Sequence, residues 1–451
     1  MKSTLTKLAG RAMGAATVLL LSNLTTIAQT VSEADRHAVV TKLTDRLVEV
    51  YPFPEISAKY KEALLKFEAA GRYNNLTENE LASKLTEDLR KTHKDVHLRV
   101  SRSAPQGPRG SRPQGNSDAK SNYGFKKVEI DGATSTAYVD IPGPFLGSQE
   151  AFEMAAAAMG MSAYSKYIIL DVRHNPGGTG QMGRFLASYF YNPGREQFYL
   201  NGFYKDRKRD EQEWTYAYTP GKHMPDAKVY ILTGRGTGSA SEGFAYAMQK
   251  LNRATIVGDT SAGAGIAGGN VQLGSNLQAF IPIKMVVGPN DNVGWEGVGV
   301  APDVLTGKED ALVATRKLIL KDILQNSPDS LQKVAAQWVI DNDGIAASAA
   351  TNMKTKYSEL VGKYSNNVTI TAVKGDLLWN RVEPGKPVES YILKELKQDV
   401  LVITGLNANL GPNSSRVYIN RDAKGKSAGL TRKTLMGNGT VSTTPQPLTK
   451  I

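Results

Sequence analysis

The stretch Gly236-Thr-Gly-Ser-Ala-Ser-Glu-Gly-Phe-Ala-Tyr-Ala-Met-Gln249 follows directly on the apolar run Val229-Tyr-Ile-Leu232. Beyond it Phe244, Met248 and Leu251 recur at the spacing of one helical face. This pattern predicts a buried strand that passes through a tight, small-residue turn into a helix, the repeating unit of an α/β domain. Gly and Ala alone would build such a turn, yet it carries Ser239 and Ser241. A phosphate cradle, a nucleophile and a plain helix cap each account for a serine there.

Outward from this unit, apolar runs alternate with helical patterns from Ala137 to about Leu320. Strands are predicted at Ala137–Ile141, Tyr167–Val172, Val229–Thr233, Ala254–Val257 and Phe280–Val287, with helices near Ser148–Ala163, Met182–Tyr191 and Glu242–Leu251. Alternation of this kind predicts an α/β layered domain. Val31 to about Thr92 reads as helical: Thr77-Glu-Asn-Glu80 has capping-box form, and Leu81, Leu85 and Leu89 follow it. Ser101 to Asn122, rich in Pro, Gly, Ser and Arg, is expected to be a mobile loop or linker. After Ser327 a short helical stretch (Leu331, Val334, Trp338) leads to alternating strand-like segments around Val368–Ala372, Val400–Ile403 and Arg416–Ile419. These predict a small antiparallel β domain, with the last ten residues frayed. The expected division is a leader over 1–28, a helical subdomain over 29–100, a linker over 101–125, the α/β core over 126–326, a helical connector over 327–356 and the β domain over 357–440.

The leader is read from Lys2, Lys7 and Arg11, the apolar stretch Met13–Leu21 and the small-residue site Thr26-Ile-Ala28. The apolar stretch is too short to span a bilayer comfortably, and the segment reads as a secretory signal peptide, so an exported, periplasmic or extracellular protein is expected. An uncleaved membrane anchor is the competing reading. No later apolar run is long enough to cross a membrane. The chain contains no cysteine, which excludes disulfides, thiolate metal sites, a Cys nucleophile and a lipid-bearing Cys. The net charge of +12 falls by three once the leader is set aside. The excess is scattered, without a basic block interleaved with aromatics, so nucleic acid is not an expected partner.

Two glycine-rich turns invite a dinucleotide. Thr233 to Ser239 follows a strand and opens a helix, and Gly178-Thr-Gly180-Gln-Met-Gly183 matches G-x-G-x-x-G outright. Neither belongs to the first strand–helix unit of its domain, and an exported protein has little use for a nicotinamide, so no cofactor and no metal are expected. A nucleophilic Ser239 is the stronger chemistry. A serine on a tight strand-to-helix turn is exposed at the sheet end, with helix N-terminal amides near it to receive an oxyanion. Such a serine needs a base, and the five histidines, His37, His93, His97, His174 and His223, are not separated by spacing alone.

Three motifs together resemble the tail-specific, or carboxyl-terminal-processing, serine protease family: "DVRHNPGGTG" (Asp171–Gly180), "TGSASEGFAYAMQKLNRATIVGDTSAG" (Thr237–Gly263) and "WEGVGVAPDV" (Trp295–Val304). The resemblance runs from the N-terminal helices to about Leu320. It implies that Ser239, the first serine of Ser-Ala-Ser-Glu, is the nucleophile and that Ser241 is structural. The processing proteases activate serine with a lysine in a Thr-x-Gly-Lys-Gly segment. The matching segment here, Thr260-Ser-Ala-Gly-Ala264-Gly, carries Ala at that position, which removes a Ser–Lys dyad.

The chain is more similar to the branch of the tricorn protease core and the interphotoreceptor retinoid-binding protein modules, which lacks a PDZ insert. That likeness implies a base at His97, in Asp95-Val-His-Leu98, and an acid at Glu296, in the Glu-x-x-Gly-Val-x-Pro-Asp segment. Backbone amides of Gly177 or Gly178 and of Ala240 would make the oxyanion hole, while Asp171, Arg173 and Asn175 would fix their loop. The implied fold is a crotonase-like α/β spiral with an N-terminal helical subdomain and a small C-terminal antiparallel β domain. The implied function is an exported serine peptidase acting on a peptide or protein through an acyl-enzyme. The alternative is a non-catalytic binding protein for a hydrophobic ligand or peptide on the same fold.

Overall fold

The apolar runs of the central region are strands whose successive side chains feed two different cores. Ala137, Val139, Ile168, Leu170, Val229 and Ile231 enter one, while Tyr138, Tyr167, Ile169, Tyr230 and Leu232 enter the other. A strand buried on both faces needs apolar residues at every position, because neighbouring side chains point to opposite sides. That is why these segments read as continuous runs and not as alternations.

The computed structural model describes residues 30–103, 115–205, 210–347, 352–406 and 414–451, so the expected leader lies outside the described residues. In chain order the elements begin with α1 (Glu33–Val50), α2 (Pro54–Ala69), α3 (Glu78–Thr92), β1 (Arg99–Arg102), α4 (Gly115–Lys120), β2 (Lys127–Asp131) and β3 (Thr136–Asp140). There follow α5 (Gln149–Ser162), β4 (Tyr167–Asp171), α6 (Gly180–Ser188), β5 (Phe198–Phe203), β6 (Asp210–Trp214), β7 (Lys228–Thr233), α7 (Ala240–Lys250) and β8 (Ala254–Gly258). Next come β9 (Ile266–Gly274), β10 (Leu277–Val287), β11 (Val304–Leu305), α8 (Ala311–Asn326), α9 (Ser330–Ala347) and α10 (Met353–Lys356).

A six-stranded sheet in the order β11-β8-β7-β4-β3-β2 carries the central region, parallel throughout except for β2. Residues of α5, α6 and α7 pack on one face and residues of α8 and α9 on the other. The neighbouring strands β4, β7 and β8 therefore all deliver their following loops to the same edge of the sheet, the carboxyl edge where α/β proteins place their ligands.

A second sheet holds β10 between β9 on one side and β1 and β5 on the other, with β6 beyond β5. Its Val100, Leu273, Leu277, Ala279 and Ile281 close over the leucines of α1 to α3. The capping box at α3 is formed, with Thr77 N–H donating to Glu80 Oε2 at 2.8 Å, and Leu81, Leu85 and Leu89 are buried.

Two expectations need correction. The segment from Ser101 is not loop throughout: Ser101 and Arg102 continue β1 against Gln278 and Leu277, and Gly115–Lys120 is helical. The long strand β10 supplies backbone partners that composition alone does not reveal. Residues 104–114 lie outside the described residues. The frayed end is also wrong.

The C-terminal region is an eight-stranded antiparallel meander, β12 (Gly362–Tyr364), β13 (Val368–Val373), β14 (Asp376–Arg381), β15 (Glu389–Lys397), β16 (Val400–Ile403), β17 (Ser415–Arg421), β18 (Ser427–Leu435) and β19 (Val441–Thr443). The final residues are tied into it. Leu448 is buried and exchanges backbone bonds with Leu430, while Ile451 N–H reaches Lys363 O at 2.9 Å, so the tail bridges β18 and β12. One apolar side chain, Leu448, with two strand edges to satisfy is enough to order it.

Candidate active site

Ser239 opens α7 directly after β7. Its backbone is at φ 49°, ψ −118°, a region where an L-residue is strained. Ser241 N–H donates to Gly238 O at 3.1 Å, so Ser239 is the second residue of a β-turn of the mirror-image type II form, which favours Gly there. Relieving the strain with Ser239→Gly should gain roughly 1–3 kcal/mol, against roughly 0.5–1 kcal/mol for the added freedom of the unfolded chain. Ser239→Gly is therefore expected to be about 1 kcal/mol more stable than Ser239→Ala in urea denaturation. A Gly variant less stable than the Ala variant would mean the turn is not strained.

The two serines of the turn divide their work. Ser241 is fully buried, and its Oγ lies 2.8 Å from both Asn175 O and Gly238 O, tying the turn to the loop after β4. Asn175, also fully buried, donates through Nδ2 to Ile141 O at 3.1 Å and receives Gly238 N–H on its own carbonyl at 3.0 Å. Asp171 and Arg173 brace the same loop: their side chains pair at 2.7 Å, Tyr138 Oη donates to Asp171 Oδ2, and Arg173 reaches Asp310 at 2.6 Å.

The glycine loop presses against Ser239. A Cβ on Gly177 would fall 2.7 Å from Ser239 Cβ and 2.9 Å from Ala240 N, and at φ +100° the position favours glycine in any case. Gly178, at φ +137°, has no room beside Phe145 O. The expected role of Gly177 as an amide donor needs revision, because its N–H already donates to Asn175 Oδ1 at 2.9 Å. Its contribution is the close approach. Among the described residues no hydrogen bond is formed by the amides of Gly178 or Ala240.

Sequence reasoning missed the residue that ties the site together. Glu242 is fully buried one turn into α7, and its carboxylate accepts from Ser239 N–H (2.6 Å), Ser261 Oγ (2.6 Å), Gly263 N–H (2.6 Å) and Ala264 N–H (2.9 Å). One carboxylate thus clamps the loop after β8 onto the Ser239 turn. Four donors offset the cost of burying its charge. The spacing Ser239-x-x-Glu242 is a capping-box signature and was the available signal. Ala264, at the position of the absent lysine, contributes only its amide.

From Ala264 the link continues to the other two predicted residues. The next amide, Gly265 N–H, donates to Glu296 Oε2 at 2.6 Å. One carboxylate oxygen of Glu296, one of Asp95 and a ring nitrogen of His97 all lie within 4.8 Å of one another. His97 sits where α3 gives way to β1, stacked on Phe280 of β10 with ring centroids 6.0 Å apart. Asp95, which sequence reasoning also passed over, is buried. It fixes this bend by accepting from His97 N–H (2.8 Å), Leu98 N–H (3.1 Å) and Tyr51 Oη (2.8 Å). An Asp two residues before a turn amide is the usual local partner of such a bend.

The structure therefore brings His97 and Glu296 together directly and joins Ser239 to them through Glu242 and residues 261–265. No hydrogen bond runs between Ser239 and His97, and His97 Nδ1 is buried without a partner. Hydrogen bonds of catalytic groups are often long in unliganded sites and tighten on binding. Of the other histidines, His223, buried, is satisfied by Thr219 Oγ1 (2.9 Å) and Tyr191 O (2.8 Å), His37 lies 3.4 Å from Glu68 on the helical subdomain, His93 caps α3, and His174 lies in the loop after β4 with its backbone against Gly236.

Burial decides the electrostatics. It pushes the His97 imidazole below its ordinary value, with Asp95 pulling upward against it. Burial, followed by the charge of Asp95, pushes Glu296 up to about 7, with the Gly265 and Ile266 amides opposing. An imidazole with a depressed pKa is neutral, and so able to accept a proton, over most of the physiological range.

Residues 135–306 match Peptidase family S41, and residues 22–139 match the N-terminal domain of Peptidase_S41 in eukaryotic IRBP. A probable CtpA-like serine protease of Staphylococcus epidermidis is 29% identical over 140 residues, covering 31% of this chain and 27% of that protein. The carboxy-terminal processing protease CtpB of Bacillus subtilis is 28% identical over 144 residues, covering 32% and 28%. The chain thus spans about a quarter of the length of these relatives. Among solved structures, a putative peptidase from Parabacteroides merdae aligns over 65% of this chain and 98% of its own, at 17% identity and a TM-score of 0.45. The two adjoining matches together run from residue 22 to residue 306, and this part of the chain carries a peptidase family S41 domain preceded by the N-terminal domain of that family.

Proposed function

We propose that the protein is an exported serine peptidase that hydrolyses peptide bonds through Ser239, His97 and Glu296, on a crotonase-like spiral core. The observation that carries the reading is the strained Ser239 turn, clamped by Glu242 to the segment whose next amide holds Glu296 beside His97. Ser239 Oγ attacks the scissile carbonyl carbon as His97 takes its proton. The imidazolium returns that proton to the leaving amine, and water then repeats the sequence on the acyl-enzyme. Glu296 orients the ring and stabilises its charged form. The amides of Gly178 and Ala240 receive the oxyanion, and each such donor is worth about 3 kcal/mol in the transition state.

Incubation with a mixture of peptides at pH 8, read by mass spectrometry, should give new termini that are absent with Ser239→Ala. Intact peptides that instead bind saturably to the wild-type protein would favour a binding protein on this fold. Export is tested by the N-terminus of the protein recovered from the periplasm or medium, which should begin after residue 28.

Glu296 gives a prediction with opposite signs in activity and stability. Its carboxyl is raised in the folded state, so the stability it contributes is full below the ordinary carboxylate range and is lost as pH rises through about 7. Glu296→Gln can still accept from Gly265 N–H but carries no charge. Its melting temperature relative to wild type should therefore rise between pH 5 and pH 8. Its kcat/KM should fall by on the order of 10²–10⁴-fold, the range expected when the orienting acid of a triad is neutralised. A variant that loses stability at pH 8 relative to pH 5 would contradict the burial of an uncompensated charge.

A further inference from the structure

We propose that Asp95, His97 and Glu296 form a reversible inhibitory site for a divalent transition-metal ion of the zinc class. The regulatory meaning of this site rests on the peptidase reading above, but the binding itself does not. The three side chains come from two places, Asp95 and His97 from the end of the helical subdomain and Glu296 from the loop after β10, yet each offers a donor atom within 4.8 Å of the other two. Ligand atoms around a tetrahedral zinc ion, at about 2.0–2.2 Å from the metal, lie roughly 3.3 Å apart. Closing the cluster onto an ion thus takes rotations of about 1.5 Å at the side-chain ends.

The donor set chooses the ion. One imidazole nitrogen with two carboxylate oxygens suits zinc-class metals, whereas magnesium and calcium favour oxygen alone. Three protein ligands leave the fourth position open. Asp95 is held in place by two amides and Tyr51 Oη and keeps lone pairs for a metal. His97 Nδ1 is buried and has no other partner to lose. Arg99, stacked 5.1 Å over the Phe280 ring that also carries His97, opposes a cation. Its charge fits a reversible site better than a permanently loaded one.

The consequence for catalysis is stoichiometric. A neutral imidazole has one nitrogen lone pair, and its second nitrogen bears the proton. A metal on that lone pair leaves no base for Ser239, while the carboxylate of Glu296 is drawn from the ring to the ion.

The test uses the full chain with Ser239→Ala, so that binding is read without turnover. Co²⁺ is titrated at pH 7.5 and followed by the visible absorption of four-coordinate cobalt, and Zn²⁺ is then added in competition. One equivalent should bind and be displaced by Zn²⁺, with affinity at least tenfold weaker once His97→Ala or, separately, Glu296→Gln is added. The Glu296 variant serves if the His97 variant does not fold. In the wild type, Zn²⁺ should suppress hydrolysis over the same concentration range, and EDTA should restore it. The absence of a saturable one-to-one complex, or an affinity unchanged in a folded His97 or Glu296 variant, overturns the site. Failure of Ser239 to act as a nucleophile would remove the peptidase reading and leave the cobalt titration standing.

Discussion

Ser239→Ala is expected to lower kcat/KM for peptide hydrolysis by on the order of 10⁴-fold or more while leaving the fold intact. The turn is held by backbone bonds that alanine keeps, Ser241 N–H to Gly238 O and Ser239 N–H to Glu242, so the loss belongs to the hydroxyl alone. Ser241→Ala is the informative contrast. It removes the bonds from a buried hydroxyl to the Asn175 and Gly238 carbonyls, at a cost of about 1–3 kcal/mol of stability. It leaves the reacting group in place, and the expected loss of activity is small. Parallel measurement of hydrolysis and thermal melting separates the two. An inactive but stable Ser241→Ala protein, with Ser239→Ala active, would reverse the assignment.

His97→Ala carries the second-largest expected effect, again on the order of 10⁴-fold in kcat/KM, because a serine hydroxyl without a base is a weak nucleophile. Substitution of His223, which is fully engaged with Thr219 and Tyr191, should change activity little. The pH profile adds a readout that a structural histidine would not move. In the proposed mechanism the active form has neutral His97 and ionised Glu296. Burial pushes the first down and the second up to about 7, so ionisation of Glu296 sets the limb of the profile. Activity should rise with pH through a limb near pH 7 and then level off. Glu296→Gln removes that carboxyl, and the residual activity should rise at lower pH. A profile that falls between pH 6 and pH 8, or a fully active His97→Ala, would place the base elsewhere.

The Ser239 turn was legible because its determinants are local: an apolar run, a small-residue turn and a helical period within about twenty residues. The parallel strands followed for the same reason, since burial on both faces leaves an uninterrupted apolar run at Tyr167–Leu170 and Val229–Leu232. The order of the strands was not legible, nor was β9, whose Ala-Gly-Gly-Asn run gains its strand character from the pairing with β10.

Of the candidate site, the family likeness pointed to His97 and Glu296, which residue spacing alone did not. What brings them together is long-range: Asp95 bending the chain at His97, and Gly265 holding Glu296. The polar residues that do this positioning, Asp95, Asn175 and Glu242, look in the sequence like any other turn or helix-cap residues. Their meaning comes from burial and from partners as distant as Tyr51, Ile141 and Ala264. Gly177 shows the converse. Its place beside Ser239 was foreseen, but the competition of Asn175 Oδ1 for its amide depends on a side-chain rotamer that no motif encodes.

The central claim is that Ser239 is a nucleophile activated by His97, and reaction with a fluorophosphonate at pH 8 tests it most directly. Proteolysis and mass spectrometry of the labelled protein should place a single phosphonyl adduct on Ser239, formed rapidly in the wild type and slowed by several orders of magnitude in His97→Ala. A folded protein that takes up no label, or that carries it on Ser241 or another serine, would contradict the account.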